Sequence, residues 1–174
     1  MTRLPLALAL PLACALIALP AAAQEYPRRI EAPGGEVIIP SAGSQRAYDE
    51  IGYAPARRAG DTLYVSGAIA GAAPGEGTDA AAFEAQVRRT FQHLQRTLTA
   101  AGVTFNDVVM INSFHVWEGP GFSGTRMEQV TIIDRVKREF ITGPHPAWTA
   151  VGTTGLLAPG GVVEIQLIVH APQS

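Results

Sequence analysis

Cysteine is nearly absent. Cys14 is the only one in 174 residues, and it lies in an apolar leader. A chain that loses that leader has no disulfide, no thiol nucleophile and no cysteine metal ligand. A basic surplus is also missing: 13 Lys and Arg stand against 15 Asp and Glu, a net charge of −2. Removal of Arg3 with the leader takes −2 to −3. That balance excludes a broad basic face for nucleic acid and an electrostatic membrane anchor. No HExxH, Walker, GxSxG or dinucleotide-binding glycine pattern occurs, and the four histidines show no metal-ligand spacing. A zinc site and the common nucleotide and hydrolase classes are thereby set aside. No internal repeat or low-complexity segment interrupts the rest.

Residues 1–23 read as a signal peptide. Arg3 gives a positive start, Leu4 to Leu19 is uncharged and apolar, and Ala21-Ala22-Ala23 presents small residues before Gln24. The apolar run falls short of the ~20 residues of a membrane span, and Pro5, Pro11 and Pro20 interrupt it. Cleavage after Ala23 is expected, with a periplasmic or secreted product and no membrane attachment afterwards. Residues 24–50 read as an extended N-terminal arm with one short strand at Val37 to Ile39, because Pro27, Pro33 and Pro40 punctuate it. Residues 51–174 form one domain.

Gly60-Asp61 is a turn between strands at Ala56 to Ala59 and Thr62 to Ser66. Gly67 to Asp79 is a loop. Phe83, Val87, Phe91, Leu94 and Leu98 fall on one stripe and predict a helix over Ala80 to Ala101. Thr78 or Asp79 caps its start and Gly102 its end. Val108 to Val116 is a mostly apolar central strand. A second helix runs from Gly124 to Phe140, burying Met127, Val130, Ile133, Val136 and Phe140. Two last strands cover Ala147 to Val151 and Val162 to His170. The order β-β-β-α-β-α-β-β predicts an α+β domain: a mixed sheet with two helices on one face.

Four blocks now carry a resemblance. They are Tyr53 to Gly67 (YAPARRAGDTLYVSG), Gln86 to Gly102 ending LTAAG, Asn106-Asp107-Val108-Val109, and Pro146-Ala147 with Val163-Glu164-Ile165. In order and spacing the chain resembles the RidA family, also called YjgF or L-PSP, over about two thirds of its length. The resemblance implies a chorismate-mutase-like fold and a homotrimer with a small-molecule pocket in each cleft between subunits. It also implies hydrolysis of reactive imines and enamines to a keto acid and ammonia, without metal or organic cofactor. An arginine after Pro-Ala grips the substrate carboxylate in such proteins, and a glutamate of the last strand holds or activates water.

Here Trp148 stands at the arginine position. An indole offers one N–H and no charge. Two readings stay open: Trp148 is an aromatic wall for an aromatic, apolar or cationic ligand, or it fills the pocket or caps the core. Glu164 is the catalytic candidate, for water activation, with an interface hydrogen bond or ion pair as its other reading. Tyr53, Ser66, Gly67, Thr149, Ala150 and Gln166 are the ligand-binding candidates with Trp148, and Gln166 could bond to Glu164 or to the ligand. Pro55 replaces a polar residue common in the family. His145 lies in the loop before Pro146, and Arg57 and Arg58 could supply a displaced guanidinium. Function therefore divides three ways: a small-metabolite binder or divergent hydrolase, an imine/enamine deaminase with a substituted grip, or a non-catalytic structural trimer. Of these the sequence favours a RidA-like protein with an inter-subunit pocket, rebuilt toward a less anionic ligand.

Overall fold

The computed structural model describes residues 25–172, so the expected leader, residues 1–23, lies outside the described residues. Seven strands and three α-helices follow in the order β1 (Arg28–Ala32), β2 (Gly35–Ile39), α1 (Ala42–Glu50), β3 (Ala56–Ala59), β4 (Thr62–Gly71), α2 (Ala80–Ala101), β5 (Val108–His115), α3 (Arg126–Phe140), β6 (Ala147–Gly152) and β7 (Gly161–His170). A single 3-10 turn, Phe105–Asp107, leads into β5. The strands form one sheet in the order β1-β2-β3-β4-β7-β5-β6. Every pair is antiparallel except β5 with β6. The mixed α+β sheet expected from the sequence is present. Among the described residues no helix is long and apolar enough to cross a membrane.

Helix α2 forms for the reasons its sequence states. Asp79 accepts from the Ala81 and Ala82 amides at its start. Gly102 closes it in the left-handed region at φ +77°, where a side chain would be strained. Phe83, Val87, Phe91, Leu94 and Leu98 are all buried. Helix α3 starts from a capping box between Thr125 and Glu128. Its buried face is shifted from expectation: Gln129, Ile132, Ile133 and Val136 point inward, while Met127 is 69% exposed. Gln129 is drawn in because it bonds to His115 and to the Val116 carbonyl. Phe140 closes an aromatic group with Phe91 and Phe105, whose ring centroids lie 5.3–5.4 Å apart.

The N-terminal segment departs most from the extended arm expected at residues 24–50. β1 and β2 form a hairpin, β2 pairs with β3, and α1 follows, capped by Ser41. The strand at Val37 to Ile39 is therefore the end of a longer one. Helix α1 has a single buried residue, Gln45, and no apolar stripe, so hydrophobic period had nothing to register. The expected loop from Gly67 is also shorter, because β4 runs on to Gly71. β5 lies next to the edge strand β6 and carries an irregularity, since Val108 opposes Val169 but Met110 opposes Ile168. The extra residue, Val109, is 50% exposed, and Val108 joins Ile111 in the core.

Arg58 ties these parts together. It is 6% exposed, and its guanidinium donates to the Ala101 carbonyl at 2.7 Å and to the Ala171 carbonyl. Glu36 lies 3.4 Å from its Nε. One side chain thus joins β2, the end of α2 and the end of β7. Arg58→Ala strands two buried carbonyls, and each unsatisfied group costs roughly 1–3 kcal/mol. We expect urea denaturation to show a loss of about 2–4 kcal/mol.

Candidate functional site

The site begins with a bulge in β4. Val65 opposes Leu167 and Ala68 opposes Ile165, so Ser66 and Gly67 together face the single residue Gln166. Ser66 is pinned there. Its amide donates to the Pro55 carbonyl at 3.0 Å and its hydroxyl to the Ala54 carbonyl at 2.6 Å. These two bonds hold the segment that carries Tyr53 against the bulge. Gly67 is required by its surroundings. A Cβ built there would lie 1.9 Å from Glu164 Oε1 and 2.6 Å from its Cδ. The carboxylate of Glu164 occupies the space that any other residue at 67 would fill. Glu164 has no ion-pair partner among the described residues.

An open cleft of about 340 Å³ lies over this bulge, between α1 and α2. Ser41, Ser44, Tyr53, Ser66, Gly67 and His93 are among its walls. A second recess of about 380 Å³ shares Tyr53, Gly67 and His93 and adds Gln86, Arg89 and Thr90. The structure therefore brings together Tyr53, Ser66 and Gly67 on the cleft wall, with Glu164 packed against Gly67 from the sheet face turned away from α2 and α3. The α1 and α2 residues on these walls gave no motif in the sequence. They arrive through helix packing, and only the polar side of the α2 pattern announces them.

The other candidates sit elsewhere. Gln166 shares with Glu164 the face of the sheet away from α2 and α3, and there Asn112 Nδ2 donates to its Oε1 at 3.3 Å. Gln166, Asn112 and Thr149 are aligned across β7, β5 and β6. Thr149 and Ala150 are exposed on the edge strand β6. With β5 between β7 and β6, Gln166 and Thr149 are about 10 Å apart across the sheet, and Glu164, level with Val151, is farther from Thr149. Arg57 is committed to the Pro33 and Arg58 carbonyls, and Arg58 to the core described above. His145 is an exposed loop residue 3.5 Å from Arg138.

Trp148 turns toward the helices. It is half-buried against the core, and Lys137 of α3 stands 4.7 Å from its ring centroid. Lys137 is itself 5% exposed and pairs with Asp134 at 2.7 Å. The indole N–H donates to Ser113 Oγ at 2.8 Å. That oxygen lies 2.8 Å from His115 Nε2, and His115 Nδ1 lies 3.2 Å from Gln129 Oε1. The Gln129 amide nitrogen donates to the Val116 carbonyl, which leaves its oxygen to accept. The network therefore assigns the proton to Nδ1 of His115, and Ser113 donates to Nε2. Ser113, His115 and Gln129 are each no more than 1% exposed, so this serine and histidine meet no substrate in the folded chain. Burial pushes the His115 pKa down, and the Gln129 bond opposes it in part. In the single chain, then, Trp148 caps a buried polar chain and stands apart from the Tyr53 cleft.

The family model described as Endoribonuclease L-PSP matches residues 44–171. The chain belongs to the YjgF/RidA family. The RutC family protein YjgH of Escherichia coli (strain K12) is 39% identical over 133 residues, spanning 76% of this chain and 92% of YjgH. A solved structure of protein YjgH gives a TM-score of 0.57 at 36% identity, covering 73% of this chain and 89% of its own. Rv2704 of Mycobacterium tuberculosis, a YjgF/YER057c/UK114 family member, gives 0.57 at 26% identity over 75% and 96%. RidA from an Antarctic Psychrobacter gives 0.53 at 27% identity over 68% and 87%. In this YjgF/RidA chain the family match opens inside α1, at Ser44, so the β1-β2 hairpin lies outside it.

The buried histidine makes stability depend on pH. Its folded pKa lies below the ordinary 6.5, so the unfolded chain takes up a proton first as the pH falls. Stability from this group is complete above about 6.5 and declines from there toward the folded pKa. Denaturation midpoints measured between pH 8 and 5 should fall for the wild type and less steeply for His115→Gln. His93 is shifted in the same direction, so the difference between the two proteins isolates His115.

Proposed function

We propose that this YjgF/RidA-family protein is exported, loses residues 1–23 and forms a homotrimer with a small-metabolite pocket at each subunit boundary. It acts there as a binder or a divergent hydrolase. The observation that carries the pocket is Glu164, whose carboxylate fills the gap left by Gly67 beside Tyr53. The leader pattern supports export. Two unfinished surfaces support the assembly. Among the described residues, β4 beyond Val65 has no strand on its outer side, and β6 has none on its own. The face of the sheet away from α2 and α3 also exposes Tyr64, Phe114 and Val151. A head-to-tail contact that joins unlike edges closes into a ring when the rotation allows it, and it would bring β6 of one copy to the Tyr53 cleft of the next.

The deaminase reading draws on the same carboxylate. Glu164 would take a proton from water as the oxygen adds to the C=N carbon and pass it to the nitrogen, and the carbinolamine would lose its hydroxyl proton to that nitrogen as the C–N bond breaks, giving the keto compound and ammonia. Position 148 gives that reaction no cation, since an indole bound to Ser113 stands there. Losing a bidentate guanidinium-carboxylate contact removes a few kcal/mol, so we expect 2-iminopropionate hydrolysis about 100-fold slower than in arginine-bearing relatives. Fast turnover by the mature wild type, abolished in Glu164→Gln, would establish the deaminase instead. Light scattering reads the assembly, with three copies expected. A monomer at working concentration overturns the inter-subunit pocket.

A further inference from the structure

The recess beside Tyr53 contains one cation with capacity to spare. Arg89, on α2, lines it together with Tyr53, Gly67, Gln86 and His93. Its Nη2 donates to Glu76 Oε2 at 2.7 Å, the one bond it makes among the described residues. A guanidinium has five donors, so most of the fork remains free. Glu76 in turn accepts the Ala73 amide at 2.8 Å. The Arg89 hydrogen bond, followed by that amide, holds the Glu76 carboxyl below the usual carboxylate range. It stays ionised and steadies one side of the fork. The pair is exposed, at 47% and 31%, so it binds weakly and leaves Arg89 able to take a second anion.

Gln86 makes the complementary demand. Its amide nitrogen donates to the Gly77 carbonyl at 3.2 Å, and its Oε1 is buried with no hydrogen-bond partner among the described residues. The residue is 1% exposed and lies among the recess walls. A buried acceptor without a donor is costly, so it marks a place where a donor is wanted. Tyr53 adds a phenolic O–H. His93 Nδ1 lies 3.4 Å from an Arg96 N–H, which makes Nδ1 the acceptor and leaves the proton on Nε2. The other arginines near this end of the sheet, Arg57 and Arg58, are occupied by backbone carbonyls.

We infer that Arg89 is the carboxylate anchor of the cleft, and that Gln86 Oε1 accepts an O–H or N–H from the same small ligand. The inference rests on the cleft beside Tyr53 and Gly67 being the ligand site. It adds that the anionic end is held from α2 and not from position 148. The ligand class is a small carboxylate bearing a neighbouring hydroxyl or amino group.

L-Lactate and lactamide are suitable probes, because they share the hydroxyl and differ in charge. Calorimetric titration of the mature assembly should show lactate bound at least about tenfold more tightly than lactamide, a difference of ~1.4 kcal/mol. Arg89→Gln should cost lactate about the same factor and leave lactamide unchanged, while Arg89→Lys restores part of it. Glu76→Gln, which keeps the guanidinium and frees its last partner, should bind lactate at least as well as the wild type. Gly67→Ala, which drives Glu164 from its place, should weaken both probes. Equal lactate binding by wild type and Arg89→Gln, with Gly67→Ala still harmful, overturns the anchor and leaves the cleft standing. No binding of lactate, or binding that Gly67→Ala leaves untouched, removes the cleft as the site and the anchor with it.

Discussion

Strand β7 is paired antiparallel on both sides, to β4 and to β5, and the rest of the molecule is arranged around that double pairing. Val163, Ile165, Leu167 and Val169 face α2 and α3 and are fully buried. The alternate row, Glu164, Gln166 and Ile168, points the other way. A strict ladder would leave the carboxylate facing only the neighbouring side chains of that surface. The bulge at Ser66-Gly67 changes this. It inserts one residue without disturbing the inward row of β4, since Leu63, Val65, Ala68 and Ala70 are all buried. It also places a residue without a side chain beside Glu164. The core and the space taken by the carboxylate thus depend on one irregularity in one strand pair.

Helices α2 and α3 cover one face of this sheet. The uncovered side keeps Tyr64, Phe114 and Val151 in contact with solvent, with Ile168 and Met110 half-buried beside Tyr64 and the polar row Gln166, Asn112 and Thr149 separating them from Phe114 and Val151. Large apolar side chains exposed on one face mark an interaction surface. The same one-sided plan leaves β4 and β6 with free edges at opposite ends of the paired strands. The two halves of the candidate site are divided between those edges. Tyr53 and Gly67 stand at one, with Glu164 on the adjoining strand β7, and Trp148, Thr149 and Ala150 at the other. The division gives the proposed assembly a chemical purpose as well as a packing one.

Trp148 shows how one residue type can satisfy two different demands. Its indole N–H is the outermost donor of a chain that runs through Ser113, His115 and Gln129 to a backbone carbonyl. Each member has its partner, which is what a buried polar group needs. An arginine there would bring a second cation against Lys137, 4.7 Å from the indole centre. The uncharged indole at position 148 and the burial of Lys137 are therefore parts of one arrangement.

Local pattern was enough for much of the fold. The α2 stripe, the Gly102 cap, the Gly60-Asp61 turn and the alternation of β7 are set by neighbours three, four or two residues apart, and such distances are visible along a chain. The pairing of Tyr53 with Ser66-Gly67 and Glu164 was legible through family likeness. The β1-β2 hairpin was missed because its charged strand earns its place only by pairing, and α1 because a polar nine-residue helix has no apolar period. By itself the sequence determined which segments are helical or extended and which residues are small, charged or apolar. Only the tertiary structure decided that Gly67 makes room for Glu164, that Trp148 faces the core, and that Arg89 and Gln86 reach the Tyr53 cleft. Those outcomes turn on contacts between residues dozens of positions apart, where a bulge or a helix rotation of one residue changes which side chains meet.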